Sequence, residues 1–317
     1  MNTNQSSTKA VEAPRAKLTA RTKLTALAWG AILILSIPQI FYRLMVPAAS
    51  GEPLNPYWLA GAQVVVLAAL WVVTWVWPTV KPLRGFFLSL LALFIGMFLI
   101  LPFMLESAVW SNWTQGASWG GVLVAGRLLV HLVPVALMAL TLIGSGIGRR
   151  ELFLVRGNPS APAQPSRFLA GGSGKESVPW NRVALSFIPI YIIIATIVLG
   201  IQLRPDLNQI SQALIYLPAI IIAAAINAFA EEFEMRSVPL ARLEPVVRSG
   251  QAIFMTAVMW GLLHYFGNPG GLPGVLMVVY LGWWAAKSMI DTRGLVWAFS
   301  LHFIGDIIIY AFWAMSV

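Results

Sequence analysis

Between residues 24 and 315 the chain passes nine times through stretches of about 20 apolar residues. They fall near 24–45, 57–77, 84–105, 120–143, 183–203, 211–231, 250–268, 272–291 and 294–315. At ~1.5 Å per residue, ~20 helical residues cross the ~30 Å hydrocarbon core of a bilayer. Only 10% of residues are charged and 58% are hydrophobic, whereas soluble domains are about a quarter charged. The sequence therefore predicts an all-α polytopic transmembrane helix bundle of about nine spans, an integral membrane protein partnered by the lipid bilayer.

The cations set its orientation, because Lys and Arg in short loops stay on the cytoplasmic side. Lys9, Arg15, Lys17, Arg21 and Lys23 precede the first span, and Lys81 and Arg84 follow the second. Arg149, Arg150, Arg156, Arg167, Lys175 and Arg182 follow the fourth, Arg236, Arg242 and Arg248 the sixth, and Lys287 and Arg293 flank the join of the last two. Every even-numbered loop is basic, which puts the N-terminus in the cytoplasm. The formal charge of +9 is then topological and calls for no nucleic-acid partner. The first apolar segment is too long for a signal-peptide core, so an uncleaved first helix is expected. No cysteine is present, which removes disulfides, thiolate catalysis and Cys-based metal sites.

Four regions follow: a basic cytoplasmic tail over 1–23, a four-span membrane region over 24–148, a flexible cytoplasmic linker over 149–182 and a five-span region over 183–317. The linker assignment rests on turn formers such as Gly157-Asn-Pro-Ser-Ala-Pro-Ala-Gln-Pro165 and Gly171-Gly-Ser-Gly174. No internal repeat relates the two membrane halves. In the first half the ionisable groups well inside a span are Arg127 and His131, four apart on one helix face. They either line a cavity, or hydrogen-bond to neighbouring helices, or sit at a shallower depth than the apolar window implies.

The second half carries Glu231-Glu232-x-x-x-Arg236, Trp260-x-x-x-His264 and His302-x-x-x-Asp306. Glu232 and Arg236 stand one turn apart, where a charge pair offsets part of the cost of burial. Glu231 is turned ~100° away, with Asn227 one turn earlier on its face, and Glu234 reads as a solvated rim residue. His302 and Asp306 share a face ~12 Å into the last span, counted from Gly294. A carboxylate with imidazoles supplies the parts of hydrolysis: Glu231 as base for water, His264 to hold that water and move its proton, His302 and Asp306 for the oxyanion. No metal or other cofactor is required, and His-Glu-x-x-His is absent. Zinc or iron remains the rival reading, since His, Glu and Asp are all ligands.

Three such motifs on successive membrane helices resemble the CAAX prenyl endopeptidase and bacteriocin-processing (CPBP, or Abi) family. Its pattern is Glu-Glu-x-x-x-Arg, then Phe-x-x-x-His, then His-x-x-x-Asn or Asp. Trp260 stands where Phe is usual, an exchange expected to affect packing more than chemistry. The resemblance covers roughly 183–317. It implies a glutamate-type, CAAX-protease-like intramembrane endopeptidase acting on a peptide or membrane-protein substrate, with Glu231, His264, His302 and Asp306 catalytic and Glu232 and Arg236 supporting. A bacterial plasma membrane suits the basic N-tail. The alternative within the family is a non-catalytic scaffold for bacteriocin self-immunity or regulation; a transporter is disfavoured because the polar residues gather in one half without a repeat.

Convergence of the motifs sets a condition on depth. Glu231 nears the cytoplasmic end of its apolar window, while His264 is ~21 Å along from Gly250. Either the sixth helix runs deeper than its hydropathy, or the seventh begins late with 237–252 as an interfacial or re-entrant segment.

Overall fold

The computed structural model describes residues 5–46, 56–166, 168–169 and 177–316, the side chains of 5–20 excepted. Lys9, Arg15, Lys17, Glu52, Arg167, Lys175 and the Gly171–Gly174 run lie outside the described side chains. Among the described residues the regular elements are all helical. In chain order they are α1 (Gln5–Met45), α2 (Tyr57–Val76), α3 (Pro78–Leu105), α4 (Ala108–Gly116), α5 (Trp119–Leu140) and α6 (Trp180–Leu203). There follow α7 (Leu207–Ile215), α8 (Leu217–Leu243), α9 (Ser249–Leu263), α10 (Gly271–Thr292) and α11 (Val296–Ala314).

Seven of these helices are long and apolar enough to cross a membrane: α1 from Arg21, α2, α3, α5, α6, α10 and α11. The α7–α8 pair, bent by 76°, makes an eighth when counted as one span. The bend falls where Pro218 opens α8, since proline has no N–H to continue the ladder from α7. Leu185, Ile190, Ile193, Ile197 and Ile201 leave one side of α6 exposed and mostly apolar, a surface suited to lipid rather than water.

The stretch expected as a seventh span over 250–268 is shorter than that. Helix α9 has 15 residues, about 22 Å of rise against a ~30 Å core. One 3₁₀ turn, His264–Phe266, follows before Gly267-Asn-Pro-Gly-Gly271 reverses the chain. The helix is instead an internal element packed along α10, with Ala252, Met255, Ala257 and Met259 fully buried. Glycine permits the close approach. A Cβ on Gly261 would meet the Val279 side chain and come within 3.0 Å of Val275 O, and one on Gly282 would meet Ala257 Cα at 3.1 Å. Gly261→Val is therefore expected to destabilise the folded protein by ~1–3 kcal/mol, as overpacking does. Thermal unfolding in detergent measures it, and an unchanged midpoint would show that α9 and α10 can separate freely.

Cations gather at one end of the bundle. Arg21 Nη2, where the apolar part of α1 begins, donates to Val247 O at 2.9 Å, just past α8. Arg242 Nη2 donates to Thr141 O beyond α5 at 2.8 Å, and Arg293 after α10 holds Glu244 with two bonds of 2.8 and 2.9 Å. The chain segments that sequence reading places in basic loops are thus brought to a common rim.

The described part of 149–182 is fixed to that rim, in contrast to the flexible linker its composition suggests. Phe153 is buried, Asn158 N donates to Thr292 O at 2.8 Å, and Leu295 N donates to Val155 O at 3.0 Å. Trp297 Nε1 donates to Pro159 O at 2.9 Å, while Asp291 Oδ2 accepts from Gln164 N and Trp180 Nε1 at 3.0 and 2.9 Å. The α10–α11 join leaves backbone groups without helical partners, and this segment supplies a donor to Thr292 O and an acceptor for Leu295 N. Gly157, at φ 65°, presses against Thr292 and Gly294, a conformation and a gap that only glycine accommodates easily.

Candidate functional site

Helix α8 lies at the centre, packed between α5 on one side and α11 on the other. It is regular to Glu232, widens into a π turn over Phe233–Ser237, and resumes over Val238–Leu243. The sixth helix thus runs deeper than its hydropathy, which satisfies the first depth condition. Every residue from Glu232 to Ala241 is buried. Glu234 is accordingly not a rim residue: its side chain is 0% exposed and His131 Nδ1 lies 3.1 Å from Oε1. The hydropathy window ends at Ala230, but α8 is enclosed by protein from Glu232 to Ala241, and the partner that makes burial of Glu234 tolerable comes from α5.

Glu232 and Arg236 form the expected pair, with Arg236 Nη1 donating to Glu232 Oε1 at 2.8 Å. The guanidinium carbon stands 4.0 Å above the Trp260 ring, a cation–π contact that adds to the pair. His302 Nδ1 is 2.9 Å from the same Glu232 Oε1. That carboxylate therefore links α8 to α11, and its position orients the imidazole.

Glu231 is the carboxylate of the three with open surface. Its side chain is 17% exposed, whereas Glu232 and Glu234 are at 0%. Trp260 Nε1 donates to Glu231 Oε2 at 2.7 Å and Asn227 Nδ2 donates to Oε1 at 3.2 Å. His302 Nε2 lies 3.6 Å from Glu231 Oε2 and 3.6 Å from Asp306 Oδ2. Asn227 Nδ2 also donates to Asp306 Oδ2, at 3.1 Å. Trp260 is more than a packing substitute for Phe, because its indole N–H holds the carboxylate in a way a phenyl ring cannot.

His264 sits on the 3₁₀ turn that ends α9. Its ring is 5.1 Å from that of Trp260, which is itself 5.1 Å from the ring of His302. Gly267 lets the chain fold over this imidazole, since a Cβ there would come within 2.8 Å of its Cδ2. Partly accessible, the His264 imidazole makes no hydrogen bond to another described residue. Behind the motifs a cavity of about 20 Å³ is bounded by Tyr191, Glu232, Arg236, Trp260 and His302, room for about one water and far too little for a peptide. Among the described residues no three His, Asp or Glu side chains are grouped to hold a metal ion.

All eight residues selected from sequence thus lie around one point, supplied by α8, the α9 end and α11. Three more belong to the same network: Arg127, His131 and Glu234. The i,i+4 spacing of the first two marked a polar face, and hydrogen bonding to a neighbouring helix is the reading the structure supports. Nothing in the sequence paired that face with Asn227 and Glu234, about 100 residues away.

Residues 213–308 match a family model described as Rce1-like, type II CAAX prenyl endopeptidase Rce1-like. No curated protein and no solved structure matches the chain. The matched segment begins on α7, ends within α11 and contains all three motifs, inside the span of the resemblance read from sequence. The chain is an all-α polytopic membrane protein whose residues 213–308 are similar to the type II CAAX prenyl endopeptidase Rce1-like family, a likeness that supports a membrane endopeptidase of the CAAX-protease type in general.

Proposed function

We propose that the protein hydrolyses a peptide bond in a peptide or membrane-protein substrate, with Glu231 as the base that activates water. The observation that carries this reading is the division among the three carboxylates. Glu232 and Glu234 are wholly enclosed and bound to partners, and Glu231 alone reaches open space beside an imidazole with no other bond. Its two oxygens each accept one hydrogen bond, leaving lone pairs for a water proton.

In this mechanism Glu231 takes a proton from water and the hydroxide adds to the scissile carbonyl carbon. His264 holds the attacking water and moves the proton to the departing amine as the C–N bond breaks. His302 stands opposite. With Nδ1–H committed to Glu232, Nε2 donates to the developing oxyanion only when the ring is imidazolium, and Glu231, Glu232 and Asp306 surround it with counter-charge. Asp306 acts by orienting His302 and fixing Asn227. We place the N-terminus and the basic rim in the cytoplasm of a bacterial plasma membrane, on the loop-charge argument above.

The test compares peptides released from host membranes carrying the wild type or His264→Ala, identified by mass spectrometry against membranes without the protein. Wild-type-specific fragments that disappear in His264→Ala support cleavage. Equal release by both folded proteins, matching the empty membranes, ends the reading and leaves the non-catalytic scaffold.

A further inference from the structure

Asn227 is the junction of two halves of the chain. Its Nδ2 donates to Glu231 Oε1 at 3.2 Å and to Asp306 Oδ2 at 3.1 Å, one hydrogen for each carboxylate. Its Oδ1 faces Arg127 Nη1 at 3.3 Å and His131 Nε2 at 3.0 Å. Arginine only donates, and Oδ1 has two lone pairs. The amide orientation is therefore fixed from both sides, and His131 Nε2 must carry a proton. On the far side of the ring, Nδ1 lies 3.1 and 3.3 Å from the two oxygens of Glu234, so one proton is shared across that contact. Each group in this chain is held by the next: Glu234 sets the His131 ring, His131 and Arg127 set Asn227, and Asn227 sets two of the carboxylates that face His302. Arg127 is further placed by the rings of Tyr310 and Trp313, each 5.7 Å from its guanidinium carbon.

We infer that His131, buffered by Glu234 and assisted by Arg127, is a positioning residue of the site, so that the four-span region preceding the family-matched segment completes the machinery. Both residues lie on α5, outside 213–308. Neither touches the reacting atoms; both act through Asn227. Without the donors on α5, the Asn227 amide is free to turn its oxygen toward Glu231 and Asp306, where it repels the carboxylates it now holds. The functional part of this inference rests on the cleavage reading, and the geometric part does not.

Two measurements test it. His131→Leu alone strands Glu234 in a dry interior, so the informative pair is His131→Leu with Glu234→Leu, against His131→Gln, whose amide N–H₂ restores a donor to Asn227. On a peptide that the wild type releases, the double variant is expected to lose on the order of 10²-fold in kcat with KM nearly unchanged, as for misplaced catalytic groups. His131→Gln recovers most of it. A double variant with wild-type kcat, or a glutamine no better than leucine, overturns the positioning role. The second measurement needs no activity. The chain has three histidines, so ¹⁵N-histidine NMR of the full-length protein in detergent resolves each ring. A protonated Nε2 on His131 that changes in Asn227→Ala supports the geometry, and an unprotonated Nε2 overturns it. If even the wild type cleaves nothing, the cleavage reading fails while the NMR result still decides the geometry.

Discussion

Glu231→Gln is expected to slow cleavage by about 10²–10⁴-fold, the usual contribution of a general base, without unfolding the protein. Glutamine matches the volume of glutamate, and its carbonyl oxygen can still accept from Trp260 Nε1, which now lies 2.7 Å from Oε2. Its amide N–H₂ then faces Asn227 Nδ2, donor against donor, where Oε1 accepts at 3.2 Å today. The structural loss is about one hydrogen bond, ~1 kcal/mol, at a side chain that retains access to open surface. The chemical loss is complete, because a carboxamide cannot take a proton from water at neutral pH. Initial rates on a wild-type-released peptide, with unfolding midpoints alongside, separate the two. Undiminished cleavage by a folded Glu231→Gln protein would remove Glu231 as the base, and His302 would then have to be considered in that role.

Arg236→Met is expected to have the largest effect on stability. The guanidinium is fully buried, bonded to Glu232 at 2.8 Å and stacked on Trp260 at 4.0 Å. Methionine fills similar space but leaves Glu232 as a buried carboxylate whose remaining partner is His302. Breaking a buried pair from one side costs roughly 3–5 kcal/mol, whereas replacing both members by apolar groups is often close to neutral. The double variant Glu232→Leu with Arg236→Met should therefore be more stable than Arg236→Met alone, even though His302 loses its anchor and activity stays low. Unfolding in detergent with increasing denaturant reads both. If the single and double variants are equally stable, the ion pair is not what makes the centre of α8 tolerable.

The two expectations draw on different information. That Glu232 and Arg236 pair was legible from their spacing, because residues four apart on a helix meet whatever surrounds them. The division of labour among the acids was legible in part: Glu231 and Glu232 were separated by direction, but Glu234 was assigned to water. Hydropathy averages over a window and cannot see that α8 continues through a π turn inside the bundle, nor that an imidazole from α5 waits at that depth. The same averaging reads 250–268 as a full span, whereas α9 has 15 residues; most of its apolar residues face protein, and protein and lipid select the same side chains.

What the sequence by itself determined was the class of fold, the basic loops and the three motifs, since each follows from local composition or from spacings that a helix converts directly into geometry. The tertiary structure decided which groups those motifs meet. Asn227, His131 and Glu234 are joined across about 100 residues of chain, and Trp260 reaches Glu231 from another helix. Hydrogen bonds between helices depend on packing, which no periodicity along one helix encodes.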